Sequence, residues 1–274
     1  PTSVLSYWIM GSEGPSPRPV TVNVTGFKKF HGVSDNPTET IVRNLKAYME
    51  NEGLPKGLVL GSCTVLETAG EGALEILNQT LNSAINSKDS ELNNPGRIIW
   101  LHLGVNSGAT QFAIERQAVN EATFRCPDEM GWKPQVIWIS SDYTISPKLC
   151  SLVQPISVFI LFYPGVTKSF PNYYMQKVPI IEKDGDISRT RQTTLPVKDI
   201  RSALDNKEDY KGKVVTSDDA GRFVCNYVYY HSLSFAEKNG TKSLFVHVPL
   251  FTTIDEKTQM RFVASLLEVL ASLP

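Results

Sequence analysis

The pattern of hydrophobic and polar positions along the chain follows two different periods. Stretches that alternate every second residue, or that are continuously apolar, predict strands, and stretches with an apolar side chain every third or fourth residue predict helices. Strands and helices follow one another in turn, which is typical of an α/β protein. We therefore expect a three-layer α/β/α sandwich with a mixed central sheet. The predicted strands are 18–27, 57–67, 96–105, 212–218 and 242–250, and the predicted helices are 36–53, 70–86, 220–240 and 255–273.

Signals at the ends of these elements indicate where helices start and where a ligand binds. Asn36 is a good cap for the first predicted helix, and Glu39 completes a capping box with it. In α/β proteins, ligands bind beyond the carboxyl ends of the strands. The sequence therefore directs attention to the loop after residue 27, the turn at 218–221 and the end of the strand that begins at residue 242.

The composition fits a globular domain and excludes several classes of partner. Of the 274 residues, 41% are apolar, which is enough for a sizeable core, and 27 basic side chains nearly balance 28 acidic ones. No block of basic residues occurs, so we expect neither nucleic acid nor a membrane as a partner. The four cysteines are too sparse for a disulfide scaffold and form no zinc motif, which favours a reducing, cytoplasmic location. Composition leaves the oligomeric state open.

Two parts of the chain break the periodic pattern. Residues 1–17 predict a disordered leader, and within it Met10 opens a more usual start, so we expect residues 1–9 to be translated upstream sequence or the edge of a fragment. The sequence leaves open whether they belong to the mature protein. Residues 136–176 carry eight aromatic side chains and one acid without either period, and their prolines interrupt regular structure. We expect a single domain over residues 18–274 that this anomalous segment interrupts.

A cysteine near the start of a predicted helix is the main candidate for chemistry. Cys225 follows the sequence Ser-Asp-Asp-Ala-Gly, where unpaired N–H groups and aligned peptide dipoles stabilise a thiolate and bind a developing oxyanion. Packing is the alternative role, because free cysteine is among the most buried residue types. The other cysteines are Cys63 in a predicted strand, Cys126 in a turn-like sequence and Cys150 in the anomalous segment.

A cysteine nucleophile needs an imidazole as its base and a group that orients the imidazole. His247 lies near the end of a predicted strand, and spacing alone favours it only modestly over the other histidines. Glu115 is one of many candidate orienting acids, and beside Arg116 its alternative role is a surface ion pair. The other histidines are His31 in a loop, His102 in a buried strand and His231 in a helix.

Four motifs are spread over the chain: VTGFKKFHGVSDNPTE, FAIERQAVN, SDDAGRFVCN and SLFVHVPL. In this order they resemble the pyrrolidone-carboxylate peptidases (type I pyroglutamyl peptidases), and most of all the plant members. These are cysteine peptidases that remove an N-terminal pyroglutamate. The resemblance implies that Cys225 is the nucleophile, that His247 is the base and then the acid, and that Glu115 orients the ring. It also implies that Phe27 and Phe30 line the pocket for the pyrrolidone ring and that no metal or cofactor is needed.

Some residues in these motifs have alternative structural roles. For Phe27 and Phe30 the alternative to lining the pocket is ordinary burial in the core, and the pocket role is favoured. Asp218 and Asp219 are candidates for capping the helix of Cys225.

The resemblance covers residues 20–135 and 177–270 and offers no counterpart for residues 136–176. Val136 is encoded by GTN and Gln176 by CAA or CAG, which match the ends of an intron, so we expect the anomalous segment to be a translated, retained intron. The implied reaction is hydrolysis of the amide bond after an N-terminal pyroglutamyl residue, with such peptides as partners. Two alternatives stay open: a catalytically impaired, splice-derived relative with binding activity at most, and another acyl-group cysteine hydrolase on the same fold.

Overall fold

The expectations for the leader and for the anomalous segment concern residues that lie outside the part of the chain described by the computed structural model. The leader ends at residue 17, and the anomalous segment spans residues 136–176. Both expectations therefore stay predictions. The described residues are 19–86, 97–124, 126–133 and 177–273.

Every strand and helix expected from the sequence is present in the described part of the chain. The boundaries agree within one or two residues, except that the helix expected from residue 220 begins at Val224. The strands are β1 (Val20–Phe27), β2 (Leu58–Leu66), β3 (Ile98–Val105), β4 (Phe112–Glu115), β5 (Gln117–Val119), β6 (Thr190–Gln192), β7 (Val214–Ser217) and β8 (Lys242–Val248). The helices are α1 (Pro37–Glu52), α2 (Gly70–Asn86), α3 (Val197–Asp205), α4 (Val224–Asn239) and α5 (Glu256–Ser272).

Six strands form one sheet in the order β2–β1–β3–β8–β4–β7, and β5 and β6 form a separate antiparallel pair. Neighbouring strands of the large sheet are parallel, except that β4 and β8 run antiparallel. Helices α1, α3 and α5 pack on one face of the sheet, and α2 and α4 pack on the other. The expected α/β/α sandwich with a mixed sheet is therefore confirmed.

Two apolar cores hold the layers together. Leu45 of α1 and Phe262 of α5 belong to the core on one face, and Leu77 of α2 and Tyr229 of α4 belong to the core on the other. The central strand β3 is buried along almost its whole length because both of its faces are covered. Its continuous apolar sequence follows from that position.

Local contacts at α1 agree with the sequence in one respect and correct it in another. Asn36 caps the helix, since its Oδ1 accepts a hydrogen bond from Thr38 N at 3.0 Å. The capping box is wrong, because the Glu39 carboxylate instead accepts from Lys29 N and from the Arg43 guanidinium. Glu39 therefore ties the loop after β1 to the helix.

The carboxyl ends of β1, β3 and β8 lie side by side because these three adjacent strands are parallel. This edge is where an α/β sheet binds ligands. No helix within the described ranges combines the length and the apolar character required to cross a membrane.

Candidate active site

Cys225 is the second residue of α4, so no carbonyl within the helix accepts a hydrogen bond from its backbone N–H. The N-cap residue Phe223 makes no side-chain capping hydrogen bond, whereas Asn36 caps α1 and Asp255 caps α5. The start of α4 therefore presents N–H groups that no capping side chain occupies.

The two aspartates considered as caps of α4 have other partners, so that alternative is wrong. Asp218 forms an ion pair with Arg116. Asp219 Oδ1 accepts hydrogen bonds from Gly221 N at 3.1 Å and from Arg222 Nη1 at 2.6 Å. Gly221 has a φ of 78°, a conformation that glycine adopts without steric cost, so this turn delivers the chain sharply into the helix.

The sulfur of Cys225 lies close to the backbone of β3. A Cβ atom at Gly104 would come within 3.0 Å of Cys225 Sγ and within 2.6 Å of Cζ of Phe245. Glycine is needed at this position because both side chains approach the strand so closely. Gly104 is paired in register with His247 on β8, so a sulfur above Gly104 is one strand away from the imidazole.

Glu115 holds His247 across the antiparallel pair of β4 and β8. Glu115 lies opposite Phe245, two residues before His247, so the two side chains are diagonal neighbours on one face of the sheet. His247 Nδ1 donates a hydrogen bond to Glu115 Oε1 at 2.8 Å, and both side chains are buried. Since Arg116 pairs with Asp218, the surface ion pair considered for Glu115 does not form.

The surroundings of His247 favour its protonated form. Burial lowers the pKa of the imidazole, but hydrogen bonds to Cys225 and Glu115, together with the negative charge on each, raise that pKa to about 10. At neutral pH His247 is therefore an imidazolium that lies between the Cys225 sulfur and the Glu115 carboxylate. An imidazolium beside a cysteine sulfur favours the thiolate, which is the nucleophilic form, and is itself available as an acid.

Two buried aromatic side chains support this series. The ring of Phe245 has its centroid 4.8 Å from that of His247 and 5.5 Å from that of Tyr229. The Tyr229 hydroxyl donates a hydrogen bond to the backbone oxygen of Glu115 at 3.0 Å. Burial and the nearby charge of Glu115 raise the pKa of Tyr229, so its hydroxyl keeps its proton and stays a donor.

A cleft of about 870 Å³ opens beside Cys225 and His247, and Phe27 and Phe30 also line it. Glu115 lies behind His247, so the structure brings together all five residues singled out from the sequence. Phe27 is only 2% exposed and belongs to the core on the α2 and α4 side, and it also forms part of the cleft wall. Phe30 is half-buried.

The loop that carries Phe30 is braced by hydrogen bonds at both ends. Asn36 Nδ2 donates to the backbone oxygen of Lys28 at 2.9 Å. The backbone N–H of His31 donates to Glu129 Oε1 at 2.7 Å. These contacts hold the aromatic wall of the cleft in place.

The other histidines are placed away from the nucleophile. His102 is fully buried, both of its ring nitrogens are hydrogen-bonded to buried hydroxyls at 2.7 Å, and burial lowers its pKa to about 3. Burial likewise lowers the pKa of His231 to about 4, and His31 is exposed. Of the four histidines, all of which the structure describes, His247 alone lines the cleft with Cys225.

Two of the other cysteines lie in the described ranges. Cys63 is half-buried against the core, and burial raises the pKa of its thiol to about 11, so it stays neutral. Cys126 is exposed and lines the same cleft as Cys225, which makes it the rival thiol at this site. Cys150 lies outside the described residues.

Sequence reasoning missed three residues that shape the site: Asn226, Gly104 and Tyr229. Asn226 is fully buried. Its signal in the sequence is that it lies one helical turn before Tyr229 and Tyr230, because a polar residue on a buried helix face needs a hydrogen-bond partner. Gly104 interrupts an apolar strand, which indicates a close approach of another group. No pattern distinguishes Tyr229 from the other tyrosines of α4.

Comparison with known proteins adds to this geometry. A family model described as pyroglutamyl peptidase matches residues 177–268, which include Cys225 and His247. The pyrrolidone-carboxylate peptidase of Pyrococcus furiosus is 28% identical over 230 residues, which cover 83% of this chain and 80% of the relative. Pyrrolidone-carboxylate peptidase 1 of Caldanaerobacter subterraneus is 26% identical over 228 residues, which cover 82% of this chain and 80% of the relative.

Solved structures agree with these relatives. The crystal structure of pyrrolidone carboxyl peptidase from Pyrococcus furiosus has a TM-score of 0.63 at 24% identity and covers 92% of this chain and 98% of its own. Pyroglutamyl peptidase I from Bacillus amyloliquefaciens also has a TM-score of 0.63, at 18% identity, covering 93% of this chain and 98% of its own. The fold is therefore the one that these peptidases have.

Proposed function

We propose that the chain is a pyroglutamyl peptidase, a cysteine peptidase that hydrolyses the amide bond after an N-terminal pyroglutamyl residue. The observation that carries the proposal is the meeting, at one cleft, of a helix-start thiol with a buried imidazole bound to Glu115. The products are pyroglutamate and the shortened peptide.

In the first step the thiolate of Cys225 attacks the carbonyl carbon of the pyroglutamyl residue and forms a C–S bond. The uncapped backbone N–H groups at the start of α4 donate to the developing oxyanion. His247 then gives its proton to the leaving amine as the C–N bond breaks. A pyroglutamyl thioester and a neutral imidazole remain.

In the second step neutral His247 takes a proton from water while the water oxygen attacks the thioester carbonyl carbon. The C–S bond breaks, pyroglutamate is released, and the thiolate and imidazolium are restored. Glu115 accepts the Nδ1–H of His247, which turns the other ring nitrogen towards the sulfur and stabilises the imidazolium. His247 carries every proton in this sequence, so no metal or cofactor takes part.

Selectivity for the pyroglutamyl group follows from its shape and charge. The lactam ring is compact, flat and uncharged, and it fits between Phe27 and Phe30. A glutamyl or glutaminyl N-terminus would bring an ammonium group into the same site. Burying an unpaired charge beside apolar rings is strongly unfavourable.

The test is a turnover assay with a chromogenic pyroglutamyl anilide, and the matching glutaminyl anilide is the control substrate. We expect Cys225→Ala and His247→Ala each to lower kcat by about a thousandfold or more without loss of folding. Cys63→Ala, in the core away from the cleft, controls for the removal of a thiol and should keep kcat.

Each other result has a definite meaning. Turnover that survives Cys225→Ala but not Cys126→Ser would move the nucleophile to Cys126. Equal turnover of both anilides would favour another acyl-group cysteine hydrolase. Binding of the pyroglutamyl anilide without turnover by the full-length chain would favour a catalytically impaired relative.

Peptides with an N-terminal pyroglutamate are accordingly the proposed partners. The cytoplasmic location and the similarity to plant members stay predictions that rest on the sequence.

A further inference from the structure

We propose that Asn226 is a positioning residue that holds the first turn of α4, and with it Cys225, from the side. The inference rests on the proposed function, because it concerns how the nucleophile of that reaction is set in place. It assigns to Asn226 the work that a capping side chain does at other helices of this chain.

The side chain of Asn226 is fully buried and is bound entirely to backbone atoms at the end of β5. Its Nδ2 donates to the oxygens of Val119 at 2.8 Å and Glu121 at 3.0 Å, and its Oδ1 accepts from Val119 N at 2.9 Å. Both amide hydrogens and the carbonyl oxygen are thus engaged. If the side-chain amide were turned by 180°, its NH2 group would face the backbone N–H of Val119, so the side chain has one orientation.

Two further contacts join the same two segments. The backbone N–H of Thr123 donates to the oxygen of Arg222 at 2.9 Å, and Arg222 Nε pairs with Glu121 at 3.3 Å. Residues 119–123 are therefore fastened to residues 222–226 at several points. We call this set of contacts the lateral clamp.

The lateral clamp explains how the helix start is held without a cap. A capping oxygen accepts a hydrogen bond from the second or third N–H of a helix, as Asn36 does from Thr38 N and Asp255 does from Thr258 N. On α4 the second residue is Cys225, so a cap would occupy N–H groups that the oxyanion needs. The lateral clamp fixes the turn and leaves these groups available.

The position of the turn matters because the sulfur has little room. Cys225 Sγ lies above Gly104, one strand from His247, and the imidazolium is maintained in part by its contact with Cys225. A displacement of about 1 Å between reacting groups reduces rate by about a hundredfold. Loss of the hydrogen bonds of Asn226 is therefore expected to lower kcat more than it changes KM.

The experiment compares Asn226→Ala with Asn23→Ala in the full chain. Asn23 on β1 is also buried, and its Oδ1 accepts hydrogen bonds from Ser62 on β2, outside the cleft and outside the lateral clamp. Asn226→Ser is a milder variant in case alanine prevents folding. Three quantities are measured: the unfolding midpoint, kcat and KM for the pyroglutamyl anilide, and the alkylation rate of Cys225 by iodoacetamide, followed on its peptide by mass spectrometry.

We expect all variants to lose stability, but only those at Asn226 to lose kcat, by about ten- to a hundredfold, with KM changed by less than about twofold. Alkylation of Cys225 at neutral pH should slow in parallel. An Asn226 variant that keeps both rates, or an Asn23 variant that loses both to the same extent, would overturn the proposal. If the wild type does not turn over the anilide but alkylation still slows only at Asn226, the proposed function fails and the positioning role stands.

Discussion

The chemistry proposed for Cys225 depends on charged groups that are buried away from water. Glu115 is 1% exposed, and its Oε2 is buried without a hydrogen-bond partner among the described residues. The imidazolium of His247 is therefore the main group that compensates the carboxylate. Charges interact more strongly in such surroundings than in water. Removal of the negative charge at Glu115 should therefore lower the pKa of the His247 imidazole.

We expect Glu115→Gln to move the alkaline limb of the kcat profile to lower pH. In the proposed mechanism acylation needs the imidazolium, and the negative charge of Glu115 helps to raise the pKa of His247 to about 10. Without that charge the pKa falls, so the acid is lost at lower pH. The measurement is kcat from about pH 5 to about pH 10.5. Asp218→Asn, which removes an exposed carboxylate, is the control, and an alkaline limb shared by Glu115→Gln and wild type would contradict the assignment.

The raised pKa of His247 also makes the stability of the fold depend on pH. The pKa of His247 in the folded chain lies above its ordinary value of 6.5. Protonated His247 therefore stabilises the fold fully below about pH 6.5, and this contribution is lost as the pH rises through about 10. Glu115→Gln should flatten this alkaline loss of stability.

Phe27 is expected to act on substrate binding through its flat ring. Phe27→Ala should raise KM for the pyroglutamyl anilide by about tenfold, because burying the lactam against this apolar ring is worth about 1–2 kcal/mol. The residue also belongs to the core, so alanine costs about 3–5 kcal/mol of stability. Phe27→Leu keeps the core filled and separates the two effects. Phe124→Leu, in the same core but not on the cleft, is the control, and an unchanged KM in both Phe27 variants would leave Phe27 with the core role alone.

At the scale of elements, long periodic segments were predictable and short ones were not. The helix α2 spans the predicted residues 70–86, because its apolar side chains repeat over several turns. Strand β4 has four residues, too few to show a period, although it carries Glu115. Its pairing with β8 is a long-range contact that no local pattern encodes. The sequence therefore suggested Glu115 only through a resemblance.

The helix α3 was missed for a different reason. Its buried residues Val197, Ile200 and Leu204 repeat with a helical spacing, so the signal was present in the sequence. The reverse case is α4, where apolar and polar residues are buried on nearly all sides. Its start at Val224 depends on the turn before it and on the lateral clamp, which are tertiary contacts.

At the scale of the molecule, the site exists only when distant parts of the chain are assembled. Its residues come from four different elements that the fold brings together: Phe27 from β1, Glu115 from β4, Cys225 from α4 and His247 from β8. The described residues on either side of the anomalous segment also meet in space. Trp132 packs on Phe124 with ring centroids 5.2 Å apart, and the backbones of Val178 and Ala122 pair.

We propose that residues 136–176 are an insertion that the fold and the activity do not require. Their described flanks contact the same stretch, residues 122–124, and the family model matches from residue 177 onwards. The cost of closing a loop grows only slowly with its length, so a chain whose flanks meet accepts a long insertion. The same argument implies that direct joining of the flanks is also tolerated.

We therefore expect a variant that joins Gln135 to Lys177 to fold, to turn over the pyroglutamyl anilide at least as fast as the full chain, and to give more soluble protein. The gain in solubility is expected because the deleted 41 residues carry eight aromatic side chains, and exposed apolar patches favour aggregation. A second variant replaces the segment with a Gly/Ser linker of equal length, which keeps the loop length and removes the aromatic content. Soluble yield, the unfolding midpoint and kcat are compared for the three proteins. Equal yields for the full chain and the linker variant would assign the effect to length, and a deletion variant that unfolds or loses turnover would show that residues 136–176 belong to the domain.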